Sequence, residues 1–545
     1  MSQTRVSPES ASVPRVRSAY PARGLAWALG FGVLAQGLVW DARGLGLNFF
    51  LLTVLALGGW WFALRGAHSR PASTGRLFLL AGAWAAVFVV RADAATRVVA
   101  FWAWLFTVTL ALGTFFRGRP ARLTGWDWAR LLVAGGIALG LRPWPYLFHH
   151  SRALWARTRG RWLPLLLGWV LFLPIGFCFL GLLSSVDPIL AHWVTEGISW
   201  PMVADLIGRG LVSLAFAWLW LAGLLYAWFS RPPSRATASA FPGQGILPWP
   251  AAAVILGGVL TLFVVFLALQ ARYLGGGDAA LARFGLTYAE YARRGFGELV
   301  VVAVLSLGLL IALDAFTERS APGYFVGMGA GMLGAVLLML ASAAYRLALY
   351  VRAFGWTTTR FLVAVFMAWL AVVLFAAART WLQPARRLWP RVLLLPFFGF
   401  ALSLVVFNPS MWVPRLNLQR AASPADFDLG YVLHHADLGP ERWIALAEQY
   451  PHLPPELRTA VGARLACQMG LDDNGGPWEL WWDDWRSWNW GLARARAAYA
   501  RLKAQVLPAF PLRVMPADAD IPPSHYRTLQ VQIQGRWVWC AHLLP

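Results

Sequence analysis

Apolar runs close to the twenty residues that a helix needs to cross a bilayer alternate with short polar loops from residue 24 to residue 408. Runs almost free of charge fall near 24–40, 44–64, 72–90, 98–116, 162–185, 204–229, 248–273, 295–316, 324–350 and 361–382, with one more at 391–408. The segment from Trp126 to Leu141 is different. It is short, carries Asp127 and Arg130 in its first turn and Gly135-Gly136 at its middle, and suits an interfacial or re-entrant helix better than a crossing. Without it the chain makes eleven crossings.

The loops set the threading. With a cytoplasmic N-terminus and 126–141 not crossing, the inside segments hold 21 arginines and the outside loops eight, at Arg43, Arg91, Arg97, Arg283, Arg293, Arg294, Arg352 and Arg360. If 126–141 crosses, the tally falls to 15 against 13. Only the first arrangement clearly obeys the positive-inside rule, so the C-terminal region is expected outside the cytoplasm. The loop 186–203 agrees, since it carries Asp187 and Glu196 but no arginine.

Beyond Pro409 the pattern changes. Segments 427–449 and 455–469 show helical spacing with a break at Leu453-Pro454-Pro455, and a third helix is predicted from Trp478 to about Val506. Strict alternation through Thr528–Ile533, a turn at Gln534-Gly535-Arg536 and a return through Trp537-Val538-Trp539 predict a hairpin. The fold class expected is an all-α polytopic membrane protein of about eleven transmembrane helices with a small, mostly helical C-terminal soluble domain ending in a β-hairpin. Residues 1–23 form a disordered cytoplasmic N-terminus with no cleavable signal, 24–408 the transmembrane domain and 409–545 the soluble domain.

Composition supports this and removes several functions. Mean hydropathy is +0.55 and only 13% of residues are charged, outside the soluble range. The net charge of +22 lies entirely in residues 1–408, with 34 basic and 12 acidic side chains, while 409–545 balances 13 against 13. Loop arginines facing anionic lipid explain such a distribution, so no nucleic-acid partner is expected. Lys503 is the only lysine and follows no glycine-rich turn, which argues against a Walker phosphate loop and a pyridoxal Schiff base. Cys178, Cys467 and Cys540 lack CxxC spacing; Cys178 reads as packing in a span, and the other two could pair in an oxidising compartment. His149-His150 and His434-His435 have no third ligand at helical spacing, so no metal is expected. Asp472-Asp473 and Asp483-Asp484 read as solvated charges, the first lacking the closing Glu of a calcium loop. No nucleophile elbow, HExxH or dinucleotide fingerprint occurs, so neither catalytic residues nor cofactors are assigned.

One stretch is distinctive. Tyr288-Ala289-Glu290-Tyr291-Ala292-Arg293-Arg294-Gly295-Phe296 follows Gly275-Gly276-Gly277 where an outside loop enters a span. Glu290 can pair with Arg293 or Arg294 at i,i+3 and i,i+4, and Tyr288, Tyr291 and Phe296 suit an aromatic belt, so its plain reading is an interfacial anchor. The stretch resembles the hallmark segment of bacterial multi-pass membrane proteins grouped as domains of unknown function 4153/4173. Asn408-Pro409 with Arg415-Leu416-Asn417-Leu418-Gln419-Arg420, and Arg486-Ser487-Trp488-Asn489, are similar to that family too. The resemblance implies a polytopic bacterial membrane protein and no activity.

Ionisable residues inside spans supply the candidate site. Glu298 lies about a turn inside one span and Arg346 at matching depth in another, and an intramembrane charge usually has a partner or a wet cavity. Together with Asp205 and Arg209 they form an expected outward-facing polar pocket. Asp314 is a further span acid, read as a helix-end charge paired with Arg319 or as a proton relay. Gly327/Gly331 and Ala330/Gly334 favour close helix packing. Six tryptophans at 478, 481, 482, 485, 488 and 490 lie outside the spans; at helical spacing Trp478, Trp481, Trp482 and Trp485 form one stripe that reads as a domain core or a face resting on the bilayer, with sugar stacking as the sharper reading.

Two functional classes follow. The leading one is a non-enzymatic protein of a bacterial inner membrane, transporter-like or ligand- and partner-binding, with the lipid bilayer as its solvent and a small-molecule or envelope ligand at its outer face. The alternative is a membrane enzyme acting on lipid-linked or cell-envelope substrates there, with Glu290, Glu298 and the arginines holding a phosphate-bearing group.

Overall fold

The computed structural model describes residues 24–64, 74–115, 125–149, 200–230, 246–274, 296–317, 323–382, 389–423, 428–434, 437–471, 484–515 and 529–543, with scattered positions between 168 and 186. The apolar runs become helices α1 (Gly24–Val39), α2 (Leu47–Leu64), α3 (Thr74–Val90), α4 (Ala94–Gly113), α5 (Gly125–Leu141), α6 (Trp200–Phe229), α7 (Trp249–Leu274), α8 (Phe296–Phe316), α9 (Gly323–Phe354), α10 (Thr358–Leu382) and α11 (Trp389–Val406). Six of them are long and apolar enough to cross a membrane, or up to eight spans if two bent pairs each count as one, among the described residues. The chain is a membrane protein. This count does not confirm the eleven crossings expected: α1 and α3 are short at 16 and 17 residues, and the run 162–185 lies mostly outside the described residues.

The membrane helices pack as two bundles. In the first, α1 to α6 enclose Trp60, Leu64, Trp220, Leu224 and Leu225, with the Trp60 and Trp220 rings stacked. In the second, α7 to α10 enclose Leu256, Leu310, Met332, Leu333 and Leu374. Helix α11 joins them, since it packs on both α4 and α10. Trp84 of the first bundle stacks on Phe398, and Trp369 Nε1 of the second donates to Ser403 Oγ at 2.9 Å.

After α5 the chain bends by 42° into Pro143–His149. Tyr226 Oη donates to the Leu131 carbonyl, and Tyr146 Oη accepts from Leu25 N–H.

The C-terminal region continues with α12 (Pro409–Arg420), α13 (Leu429–His434), α14 (Arg442–Gln449), α15 (Pro455–Leu471) and α16 (Trp490–Ala509). A three-stranded antiparallel sheet follows, in the order β1 (Leu512–Val514), β2 (Leu529–Ile533), β3 (Arg536–Trp539). Two expectations are corrected. The segment 427–449 is two helices separated by Gly439-Pro440, a pair that cannot continue a helix. The third helix starts at Trp490 rather than Trp478, because Asn489 Oδ1 accepts from Leu492 N–H and caps it there. Trp443, Leu465, Ala466, Leu502, Val506 and Val531 form the core, and a disulfide between Cys467 and Cys540 ties α15 to the end of the sheet.

Candidate functional site at the domain junction

The loops 41–46, 91–93, 355–357 and 407–408 gather at one end of the bundles, and the C-terminal region binds them there. Helix ends leave carbonyls without intrahelical partners, and here the domain supplies the donors. Arg486 Nη1 donates to the Gly37 and Trp40 carbonyls at the end of α1, at 3.0 and 2.6 Å. Asn489 Nδ2 donates to the Phe88 and Arg91 carbonyls at the end of α3, at 2.5 and 2.8 Å. Arg420 Nη1 donates to the Val351 and Arg352 carbonyls at the end of α9, at 2.7 and 2.6 Å. A cation at a helix C-terminus also meets the favourable end of the macrodipole.

Two attachments result. On the second bundle Asn417 Oδ1 accepts from Trp356 N–H at 2.7 Å, its Nδ2 donates to the Trp356 carbonyl at 2.8 Å, and Tyr431 Oη accepts from Thr358 N–H at 2.8 Å. On the first bundle Ser487 Oγ accepts from Gly44 N–H, Leu47 N–H donates to the Trp488 carbonyl, and a Cβ at Gly46 would stand 2.5 Å from two domain carbonyls.

The first attachment also encloses two acids. Asp93 caps α4: its Oδ2 accepts from Thr96 N–H and Thr96 Oγ1, both at 2.8 Å, and its Oδ1 accepts from Ser410 Oγ. Ser410 Oγ in turn accepts from Gly439 N–H at 2.6 Å. Glu441 stands at the start of α14 but does not cap it; its Oε1 accepts from Ala92 N–H at 2.5 Å instead. Both acids are 0% exposed. Burial, and then the neighbouring Asp93, push the Glu441 carboxyl above the ordinary carboxylate range, while the Ala92 amide, Glu441's own amide and Arg97 oppose the shift. Gly491 permits the closure, since a Cβ there would lie 2.8 Å from Glu441 Oε1 and 2.9 Å from the Val90 carbonyl.

The residues expected to form an outer pocket fall on both bundles. Asp205 and Arg209 pair at 2.6 Å on α6, where Asp205 Oδ1 also accepts from Trp40 Nε1 and Arg209 reaches Asp41 at 3.2 Å. Glu298 is exposed in the first turn of α8, and Arg346 is buried in α9, the helix that packs on α8. Tyr288, Glu290, Tyr291, Arg293 and Arg294 lie outside the described residues, as do Arg319, Trp478, Trp481, Trp482, Asp472, Asp473 and Asp483. Asp314 and Cys178 are exposed, the latter against the expectation of packing. Trp485, Trp488 and Trp490 are exposed beside the ends of α1 and α2, so Trp485 does not pack in a domain core as its stripe suggested. Among the described residues no group of three or more His, Cys, Asp or Glu could hold a metal.

Sequence reasoning missed Asp93, Ser410 and Glu441. Asp93 carried a signal, an Asp-x-x-Thr cap in a three-residue loop of an acid-poor membrane region. Glu441 carried none, because an acid after Gly-Pro reads as an ordinary first-turn charge. Yet Asn408, Asn417, Arg420, Arg486, Ser487 and Asn489, from the stretches similar to the family, all stand at the junction.

No curated protein and no solved structure matches the chain. A family model described as a domain of unknown function (DUF4153) matches residues 77–449, which include Asp93, Ser410 and Glu441, and the chain belongs to that family.

Proposed function

Starting from membership of a family without an assigned activity, we propose that the protein is a non-enzymatic, transporter-like or sensing component of a bacterial inner membrane, whose C-terminal domain clamps two helical bundles at their outer ends. One observation carries this reading: a single disulfide-tied domain caps helices of both bundles, through Arg486 and Asn489 on one side and Arg420 and Asn417 on the other. Bundles joined otherwise mainly by α11 can rock against each other only as far as that domain allows, and a ligand or partner that binds the domain gains leverage over both.

The threading belongs to the same reading. Eleven crossings with a cytoplasmic N-terminus place all four domain-binding loops outside, and the Cys467–Cys540 pair fits an oxidising compartment. Leu131 and Tyr146 both meet residues at the end of the first bundle away from the domain, which supports α5 and its continuation as a re-entrant segment.

Spin labels on the outer ends of α2 and α10, with the full-length protein in nanodiscs, test the clamp. The inter-bundle distance distribution is narrow in the wild type and broadens when Arg420→Ala and Asn417→Ala release one side. An unchanged distribution removes the clamp. A reporter fused after Pro545 that is active only in the cytoplasm removes the threading.

A further inference from the structure

The two junction acids are not equivalent. Asp93 accepts from Thr96 and Ser410 with both oxygens, whereas Glu441 Oε1 has the Ala92 amide and Oε2 has no hydrogen-bond partner among the described residues. An ionised carboxylate that is sealed from water with one oxygen bare is costly, and the neutral acid is the form that such a site tolerates.

From this geometry we infer that Glu441 is a proton-binding site, occupied at neutral pH, whose deprotonation loosens the first attachment while leaving the second in place. The charged groups around it come from two elements. The α3–α4 segment presents Asp93, Arg91 and Arg97, and α16 presents Arg494, which faces Arg91. The other walls are uncharged: Ser410 of α12, Gly439, and Asn489 with Gly491 at the start of α16. Arg91 and Arg97 act on Glu441 only through space: among the described residues neither forms an ion pair with it, and their Nε groups donate to the Val405 and Arg91 carbonyls. Loss of the proton therefore leaves a negative charge beside Asp93 with no cation bonded to it. The sign follows from linkage: a carboxyl with a raised folded value stabilises the closed junction fully below the ordinary glutamate range, and that contribution falls as pH rises through the folded value.

This inference rests on the clamp reading for its consequence but not for its measurement. Infrared spectra of the full-length protein in nanodiscs report the proton itself, whether or not the domain restrains the bundles. At neutral pH the wild type shows a protonated-carboxyl stretch that Glu441→Gln lacks, and raising the pH removes it. In parallel, the hydrogen-exchange protection factor of the Ala92 amide falls with rising pH in the wild type, about tenfold for each unit by which the folded value exceeds the ordinary one, and stays flat in Glu441→Gln. Asp93→Asn keeps the α4 cap but removes a negative neighbour, so its transition moves to lower pH. Absence of the carboxyl stretch at neutral pH, or equal pH dependence of Ala92 protection in Glu441→Gln, overturns the proposal. So does an Asp93→Asn transition that stays in place or moves upward, a readout that survives if Glu441→Gln does not fold.

Discussion

The domain grips its two bundles by the same device and in different surroundings. On each side an arginine closes the C-terminal end of a membrane helix, Arg486 on α1 and Arg420 on α9, and an asparagine bonds backbone beside a helix end, Asn489 at Phe88 and Arg91 and Asn417 at Trp356. On the second bundle the hydrogen bonds are made by amide, phenol and guanidinium groups. On the first, the same kind of bonding surrounds a sealed pair of acids, Asp93 and Glu441. Helix-end capping is thus a general means of attachment, and what distinguishes the two sides is that only one encloses a group with a reason to change its charge.

Removing each asparagine in turn should produce the largest difference between the two sides. Asn489 is buried; it caps α16 with its oxygen and bonds two carbonyls with its nitrogen. Asn489→Ala loses the cap and leaves the Phe88 carbonyl without that donor, so the expected cost is about 2–4 kcal/mol. Asn417 is buried too, but its side chain caps no helix; Asn417→Ala loses two bonds to Trp356, and about 1–2 kcal/mol is expected. Hydrogen exchange in segments 88–97 and 354–361 measures both. The first variant should deprotect the first segment more than the second variant deprotects the second, and the reverse order would show that the side enclosing the two acids is the weaker one.

A smaller effect is expected at acid pH. The Arg486 guanidinium bonds both Asp484 oxygens and holds that carboxyl below the ordinary aspartate range, with the side chains 22% and 17% exposed. A lowered value contributes stability that is present above the ordinary aspartate range and is lost as pH falls through the lowered one. Since Arg486 also caps α1, exchange protection at the first attachment should decline at low pH through Asp484 as well as at high pH through Glu441. Asp484→Asn should remove only the acid limb. If it leaves the acid limb intact, the pair has no part in the attachment.

Most of the helical framework was legible in the sequence, because a span is written in one continuous run of apolar residues. The expected runs 44–64, 204–229, 248–273 and 324–350 reappear as α2, α6, α7 and α9 within a few residues. The junction was not legible, because it is assembled from single residues hundreds of positions apart: Asp93 meets Ser410, and Arg486 meets Gly37. Spacing rules see neighbours on one helix, as with Asp205 and Arg209, and are blind to an acid whose environment comes from another element. The third helix was misread for a related reason. Tryptophans at helical spacing suggested an earlier start, and the cap at Asn489, which decides the matter, looks in sequence like any other polar residue.

The Asp205–Arg209 pair supplies the smallest expected effect and the control for the others. It too lies at the domain end, with Arg209 over the Trp40 ring and within reach of Asp41, so it resembles the junction in composition. It differs in exposure, each side chain being 42% accessible, and water and salt screen a pair of that kind. Asp205→Asn should therefore leave exchange protection in segment 88–97 unchanged at every pH, and added salt should alter the pair without altering the attachment. A loss of protection comparable to that of Asn489→Ala would mean that the end of α6 is a third point of attachment, and that the contrast between a sealed side and an open one is drawn in the wrong place.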